Sequence, residues 1–144
     1  MLIMGQEVLV RMMLEALGAA GTNLENCAVH LFTNDVDPGP AALIADFVEA
    51  DYDGYGSVLV PSTLGDPYDD GNGNAIQEAP AMIFQPTGST TPNVIVGWWM
   101  DGTWAGTGAR VVAYTRLPAP VTLATPLDAL VVQSRVALNQ PVGI

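Results

Sequence analysis

Few residues in this chain of 144 could do chemistry, since it has one His (His30) and one Cys (Cys27). Covalent catalysis needs a nucleophile within hydrogen-bond reach of a base. Cys27 and His30 stand three apart on a predicted strand, so their side chains point to opposite faces and cannot pair. The four serines, none of which lies in a Gly-x-Ser-x-Gly turn, are Ser57, Ser62, Ser89 and Ser134. We therefore predict that the chain is not an enzyme, and we interpret His30, with its apolar neighbours, as a structural histidine.

Carboxylates are the abundant reactive groups, and six of them crowd one region. They are Asp35, Asp37, Asp46, Glu49, Asp51 and Asp53. Two carboxylates facing each other across a substrate would suit a glycosidase. Aspartate is also a common turn residue. We favour turns here and keep a hydrolase that uses these acids as the third of three hypotheses.

No cofactor site is predicted. Asp70-Gly71-Asn72-Gly73-Asn74 is similar to the start of a calcium-binding EF-hand loop, but Ala75 stands where that loop needs glycine and Ala81 where it needs a bidentate acid. A hairpin turn explains these residues better, although the sequence leaves open whether an acidic loop binds a divalent cation. One His and one Cys cannot build a zinc site. Gly106-Thr107-Gly108 is followed by Val111 and does not complete a dinucleotide fingerprint.

The charge is strongly acidic, with a formal net charge of -11 and no lysine. Between Arg11 and Arg110 there are 98 residues without Lys or Arg, and they hold 13 of the 15 acidic residues. Phosphate binding needs cations, as does attraction to anionic lipid, so we predict neither a nucleic-acid nor a membrane partner. The acidic charge would keep a hydrophobic domain soluble, and it also leaves a basic protein partner possible.

The opening of the chain predicts one helix over residues 6–17. Leu9, Met12, Met13 and Leu17 lie at helical spacing, and Gly18 is placed to end the helix. The helix is apolar almost all round, so it should be covered on most sides, by the core or by a partner. Acidic and basic residues interrupt the apolar run, and a positive leader segment is missing, so we expect neither a membrane span nor a secretory signal.

After residue 23 the pattern changes to short strands separated by turns. Strands are predicted over residues 27–32, 57–60, 81–85, 94–100, 110–116, 121–123 and 129–138. Such spacing is typical of a sandwich or barrel. We predict a mainly β fold, an antiparallel β-sandwich or jelly-roll-like barrel with one N-terminal helix. Its parts are an N-terminal helical arm over residues 1–23 and a β-sandwich domain over residues 24–144.

The tryptophans are the remaining candidates for a binding surface. Adjacent on a strand, Trp98 and Trp99 should point to opposite faces. With Trp104 they could line a carbohydrate-binding surface, but core and subunit interface also favour aromatics, and we prefer these. The candidate partner or self-association surface comprises Leu9, Met12, Met13, Leu17, Trp98, Trp99 and Trp104.

Two stretches carry a resemblance to a known group of proteins. They are His30-Leu31-Phe32-Thr33-Asn34-Asp35-Val36-Asp37-Pro38 and Leu43-Ile44-Ala45-Asp46-Phe47-Val48-Glu49-Ala50-Asp51-Tyr52-Asp53-Gly54-Tyr55. With residues 79–84, 94–99 and 130–132, they resemble small bacteriophage virion structural proteins of the capsid decoration or cement type. The resemblance implies a β-sandwich or jelly-roll-like virion protein and transfers no active site.

Three hypotheses for function follow. The first is a decoration or cement protein that stabilises a phage head, sits on the capsid surface and binds the major capsid protein or another virion protein. Symmetric shells favour self-association, so we expect a dimer or trimer. The second is a tail- or connector-associated module, including one that binds a receptor or glycan, and the third is the hydrolase.

Overall fold

The computed structural model describes residues 3–4, 24–60, 68–69, 71, 74–78, 80–89, 91–104, 108–133 and 135–139. Its elements are β1 (Ile3–Met4), β2 (Leu24–Phe32), β3 (Val58–Leu59), β4 (Tyr68–Asp69), β5 (Asn74–Glu78), β6 (Met82–Phe84), β7 (Asn93–Trp104), β8 (Arg110–Leu123), β9 (Leu130–Val132) and β10 (Arg135–Asn139), with 3-10 turns at Gly39–Ala41 and Ile44–Asp46. The prediction of a mainly β, antiparallel fold is confirmed. The helix predicted over residues 6–17 lies outside the described residues. In the described part, no helix is long and apolar enough to cross a membrane.

The main sheet has five strands in the order β1-β8-β7-β2-β3, all paired antiparallel. As described, it is an open sheet bounded by β1 and β3, so the barrel alternative was wrong. Ile3 and Met4 pair with Tyr114 and Ala113 of β8. These two residues of the predicted N-terminal arm therefore belong to the main sheet, while the division after residue 23 stays a prediction.

Strand β8 is longer than the sequence suggested. We predicted separate strands over residues 110–116 and 121–123, because Pro118 and Pro120 lie between them. In the structure, Arg116 is opposite Gly97 and Val121 is opposite Ile95, so five residue steps in β8 stand against two in β7. The prolines lie exposed within this irregularity. Proline has no N–H to donate to a neighbouring strand, so it is tolerated in a sheet at a bulge. The strand therefore continues through both prolines.

Two smaller antiparallel sheets accompany the main sheet, a three-stranded one in the order β10-β5-β4 and a two-stranded one of β6 and β9. Glu78 pairs with Arg135, and Met82 pairs with Val132. Four residue steps on one side therefore face three on the other. The single strand predicted over residues 129–138 is in fact two, because this mismatch breaks the ladder.

The hairpin predicted around Gly71 is confirmed. Tyr68 and Asp69 of β4 pair with Ile76 and Ala75 of β5. Within the turn, Gly71 has φ of 79°, and its N–H donates to Asp69 Oδ1 at 2.8 Å. The left-handed conformation at this position explains the choice of glycine.

The main sheet buries apolar side chains on both faces. On one face, β2 and β7 share a core cluster with β6 and β9, and its buried members are Val29, Leu31, Ala50, Tyr52, Met82, Phe84, Ile95, Trp98, Leu123 and Val132. On the other face, the chain between β2 and β3 folds back over the sheet. That second cluster comprises Phe32, Phe47, Val96, Trp99, Val111 and Tyr114. Because successive side chains of β2 and β7 point to opposite faces of the sheet, both strands contribute to both cores.

Residues 33–50, called here the 33–50 loop, are held on the second face by hydrogen bonds. The Asn34 side chain donates to the Asp46 carbonyl and accepts from the Val48 N–H, each at 2.8 Å. The Tyr114 hydroxyl donates to Asp37 Oδ1 at 2.6 Å and accepts from the Gly39 N–H at 2.8 Å. Most of this loop belongs to the stretches that carry the resemblance. Several residues of those stretches therefore hold the loop in place by hydrogen bonds.

Candidate functional site

Two of the predicted surface residues lie in the interior. Trp98 is 8% exposed in the first cluster, and Trp99 is 3% exposed in the second. They point to opposite faces, as predicted, and in the isolated chain neither ring is available to a partner. The backbone of Trp104 ends β7, but its side chain lies outside the described part. Leu9, Met12, Met13 and Leu17 also lie outside it.

His30 lies between two carboxylates, next to Trp99 of the second cluster. Its Nδ1 atom is 2.6 Å from Glu49 Oε1, and its Nε2 atom is 3.4 Å from Asp101 Oδ1. The imidazole stacks on Trp99 with ring centroids 4.0 Å apart and an interplanar angle of 9°. Phe47 of the 33–50 loop stacks in turn on Trp99 at 5.5 Å. His30 thus joins β2, β7 and the loop in one polar and aromatic stack.

Two buried nitrogens of this stack make no hydrogen bond within the described residues. They are Nε2 of His30 and Nε1 of Trp99. The two rings are nearly parallel, so their in-plane nitrogens point past each other and cannot bond directly. Asp101 Oδ1 instead accepts the Ala28 N–H at 3.2 Å. The buried side-chain nitrogens without a hydrogen bond among the described residues therefore both lie in this stack.

The Tyr55 hydroxyl completes the edge of β2. It accepts the N–H of Leu31 at 3.0 Å and donates to Glu49 Oε1 at 2.8 Å. On one side of it, the Val60 N–H donates to the Cys27 carbonyl, and on the other the Ala50 N–H donates to the Leu31 carbonyl. An exposed strand edge is a template for unwanted pairing. Here a side chain fills the gap between two short backbone pairings.

We expect Tyr55→Phe to lower the free energy of unfolding by about 1–3 kcal/mol, because it leaves the buried Leu31 N–H without its acceptor. Urea denaturation followed by fluorescence measures the loss. Amide hydrogen exchange should show faster exchange at Leu31 specifically.

The matched control is Glu49→Gln, which keeps an oxygen for the Tyr55 hydroxyl to donate to. Its effect on the exchange rate of Leu31 should be much smaller. Equal exchange at Leu31 in the Tyr55→Phe variant and the wild type would contradict the assigned hydrogen bond.

The cluster offers no ready nucleophile. Burial raises the pKa of the Cys27 thiol, and Asp101 raises it further, so the reactive thiolate is disfavoured. Burial also raises the pKa of Tyr55, to which Glu49 adds, so this hydroxyl stays protonated. Among the described residues, no group of three or more His, Cys, Asp or Glu side chains could hold a metal ion.

Four of the six crowded carboxylates have structural partners of the following kinds. Asp35 forms an ion pair with Arg116, and Asp37 accepts from Tyr114. Asp46 accepts from the Leu43 N–H at 2.7 Å and so closes its own turn. Asp53 is 3.4 Å from the Thr87 hydroxyl. The Asp46 contact closes a turn, whereas the other three join this region to distant parts of the chain.

The outer side of the 33–50 loop presents an apolar surface among acids. Leu43, Ile44 and Val48 are exposed large hydrophobic residues. The loop contains four acidic residues and neither lysine nor arginine. Sequence reasoning missed this surface, because residues 43–48 contain no long apolar run. Only the fold shows that Phe47 is buried while Val48 is exposed.

Comparison of the chain with protein-family models, with curated proteins and with solved structures found no match.

Proposed function

We propose that the chain is a structural protein of a bacteriophage virion, a β-sandwich decoration or cement protein that binds the major capsid protein or another virion protein at the head surface. The observation that supports this best is the 33–50 loop. It combines exposed Leu43, Ile44 and Val48 with acidic residues, and the same stretch carries the resemblance to virion proteins.

Such a surface suits a protein partner with an apolar centre and a basic rim. Apolar side chains at the centre of an interface supply affinity, while surrounding charges guide encounter and orientation. The acidic net charge of the chain would favour approach to a basic shell. Trp98 and Trp99 are buried, so these two rings do not support a glycan-binding surface.

The loop is also prepared for binding before it meets a partner. Hydrogen bonds of Asn34 and Tyr114 hold the loop in place, and Phe47 packs against Trp99 in the second core. Binding by a pre-ordered surface avoids the entropic cost of ordering the loop at the interface. This arrangement fits a protein whose role is to hold a lattice together.

Immunogold labelling of purified phage particles from the lysate that contains this protein tests the location. We expect label on the head. Label confined to the tail or connector would support the second hypothesis of the sequence analysis, and particles without label would overturn a virion role.

Binding of the purified chain to heads stripped of it tests the surface. Ile44→Lys should weaken binding at least about tenfold, because it places a cation where a basic partner docks and removes apolar contact. Leu127→Lys places the same cation at an exposed leucine in the turn between β8 and β9, outside the 33–50 loop, and should bind like the wild type. Equal binding by both variants would exclude this surface.

A further inference from the structure

The outward face of the β6–β9 ribbon has an unusual composition. Met82, Phe84 and Val132 point into the first core, whereas Ile83 is 62% exposed and Val131 is 58% exposed. Ile83 and Val131 are directly opposite in the strand register. Together with the exposed residues that flank each strand, two positions away from this pair, the outward set is Ala81, Ile83, Gln85, Ala129, Val131 and Gln133.

No member of this set is charged, although the whole chain has a net charge of -11. An antiparallel sheet with one face in water normally alternates apolar residues inward with polar residues outward. Here the centre of the outward face is a cross-strand pair of branched aliphatic residues. A solvent-facing role does not explain why acidic residues, abundant elsewhere, are missing from it.

The two strands also repeat one another. Residues 81–85 read Ala-Met-Ile-Phe-Gln, and residues 129–133 read Ala-Leu-Val-Val-Gln. Because Ile83 and Val131 are opposite in an antiparallel pair, a half-turn about the axis between them exchanges the strands. It brings Ala81 onto Ala129 and Gln85 onto Gln133. The outward face therefore has local two-fold character, with an aliphatic centre and a glutamine at two diagonal corners.

We propose that this face, called here the ribbon face, binds the same face of a second copy of the chain. In an isologous interface one patch meets itself and must be self-complementary. The aliphatic centre, formed by Ile83 and Val131, meets an aliphatic centre. The Gln85 amide donates to the Pro126 carbonyl within the chain, so the self-complementarity depends on the aliphatic pair.

Charge distinguishes a second copy from other occupants. Two copies that each carry -11 repel wherever their acidic surfaces meet. The ribbon face lets them approach without placing carboxylates against carboxylates. A basic partner would gain nothing from a charge-free face, and the acidic 33–50 loop suits it better. The dimer does not depend on a virion role, so either proposal can fail without the other.

Sedimentation velocity of the purified full chain over a dilution series tests the dimer. We expect the wild type to dimerise and Ile83→Glu to raise the dissociation constant about 100-fold or more, because each dimer loses two buried aliphatic side chains and gains two like charges. Leu59→Glu is the matched control, because Leu59 is a strand residue 66% exposed outside the ribbon face. It should dimerise like the wild type.

Two results would overturn the proposal. The first is a wild type that stays monomeric at its highest soluble concentration. The second is dimerisation by Ile83→Glu with unchanged affinity, which would place the interface elsewhere.

Circular dichroism and a second variant keep the test decisive if Ile83→Glu does not fold. Val131→Gln adds no charge, and we expect it to weaken the dimer about tenfold with an unchanged spectrum. Unweakened dimerisation of a folded Val131→Gln protein would count against the ribbon face.

Discussion

Replacing Phe32 with alanine should lower the free energy of unfolding by about 3–5 kcal/mol. The Phe32 side chain is fully buried at the end of β2, and its ring contacts Phe47 at a centroid distance of 5.1 Å. Removing it opens a cavity between the sheet and the 33–50 loop. Neighbouring rings cannot easily fill this space, because Phe47 is already stacked on Trp99.

Urea unfolding monitored by tryptophan fluorescence measures this loss. Leu127→Ala removes an almost fully exposed leucine (94% exposed) and should change stability by no more than about 0.5 kcal/mol. A loss for Phe32→Ala as small as that of the control would show that the second core is not packed as described.

We expect Gly97→Ala to destabilise the chain by about 3 kcal/mol, the upper end of the usual cost of overpacking. A Cβ atom at Gly97 would collide with the Thr115 carbonyl oxygen and lie 2.5 Å from Cζ of Phe32. The first neighbour is backbone in the adjacent strand, so relief requires β7 and β8 to separate. Glycine is needed here for close approach, and its φ is not in the left-handed region.

Gly56→Ala is the matched control for this substitution. A Cβ atom at Gly56 meets nothing within 4 Å, so the change should be neutral or stabilise by up to about 1 kcal/mol through the unfolded state. Thermal denaturation of both variants gives the comparison. Equal melting temperatures would contradict the close contact of Gly97 with β8 and Phe32.

The two substitutions test the support of the 33–50 loop rather than the loop itself. Phe32 and Gly97 lie beneath it, whereas the ribbon face belongs to the strands that pack on the opposite side of the main sheet. A folded but loosened variant on the loop side should therefore bind a partner less well and still dimerise. This separates the two proposed surfaces by position in the fold.

Local pattern was enough to predict much of the fold. The alternation in residues 27–32 and 94–100 indicated strands buried on both faces, and the structure has two cores on β2 and β7. Turn residues around Gly71 indicated the hairpin that pairs β4 with β5. These features follow from neighbours in the chain, since side-chain period and turn conformation are local properties.

The surroundings of His30 could not be predicted in this way. Glu49 and Asp101 lie 19 and 71 residues further along the chain, and they meet the imidazole only because the 33–50 loop and β7 flank β2. The sequence correctly indicated a histidine among apolar residues. Its carboxylate neighbours depend on strand order and register, which local periodicity does not encode.

The sequence by itself determined the strand character, the acidic charge and the scarcity of catalytic residue types. The tertiary structure decided which apolar residues face water. Trp98 and Trp99 belong to the interior, while Ile83 and Val131 are exposed. The repeat of residues 81–85 in residues 129–133 is visible in the sequence, but only the antiparallel register places the copies side by side. Pairing between distant strands creates that face, and for this physical reason a linear pattern could not reveal it.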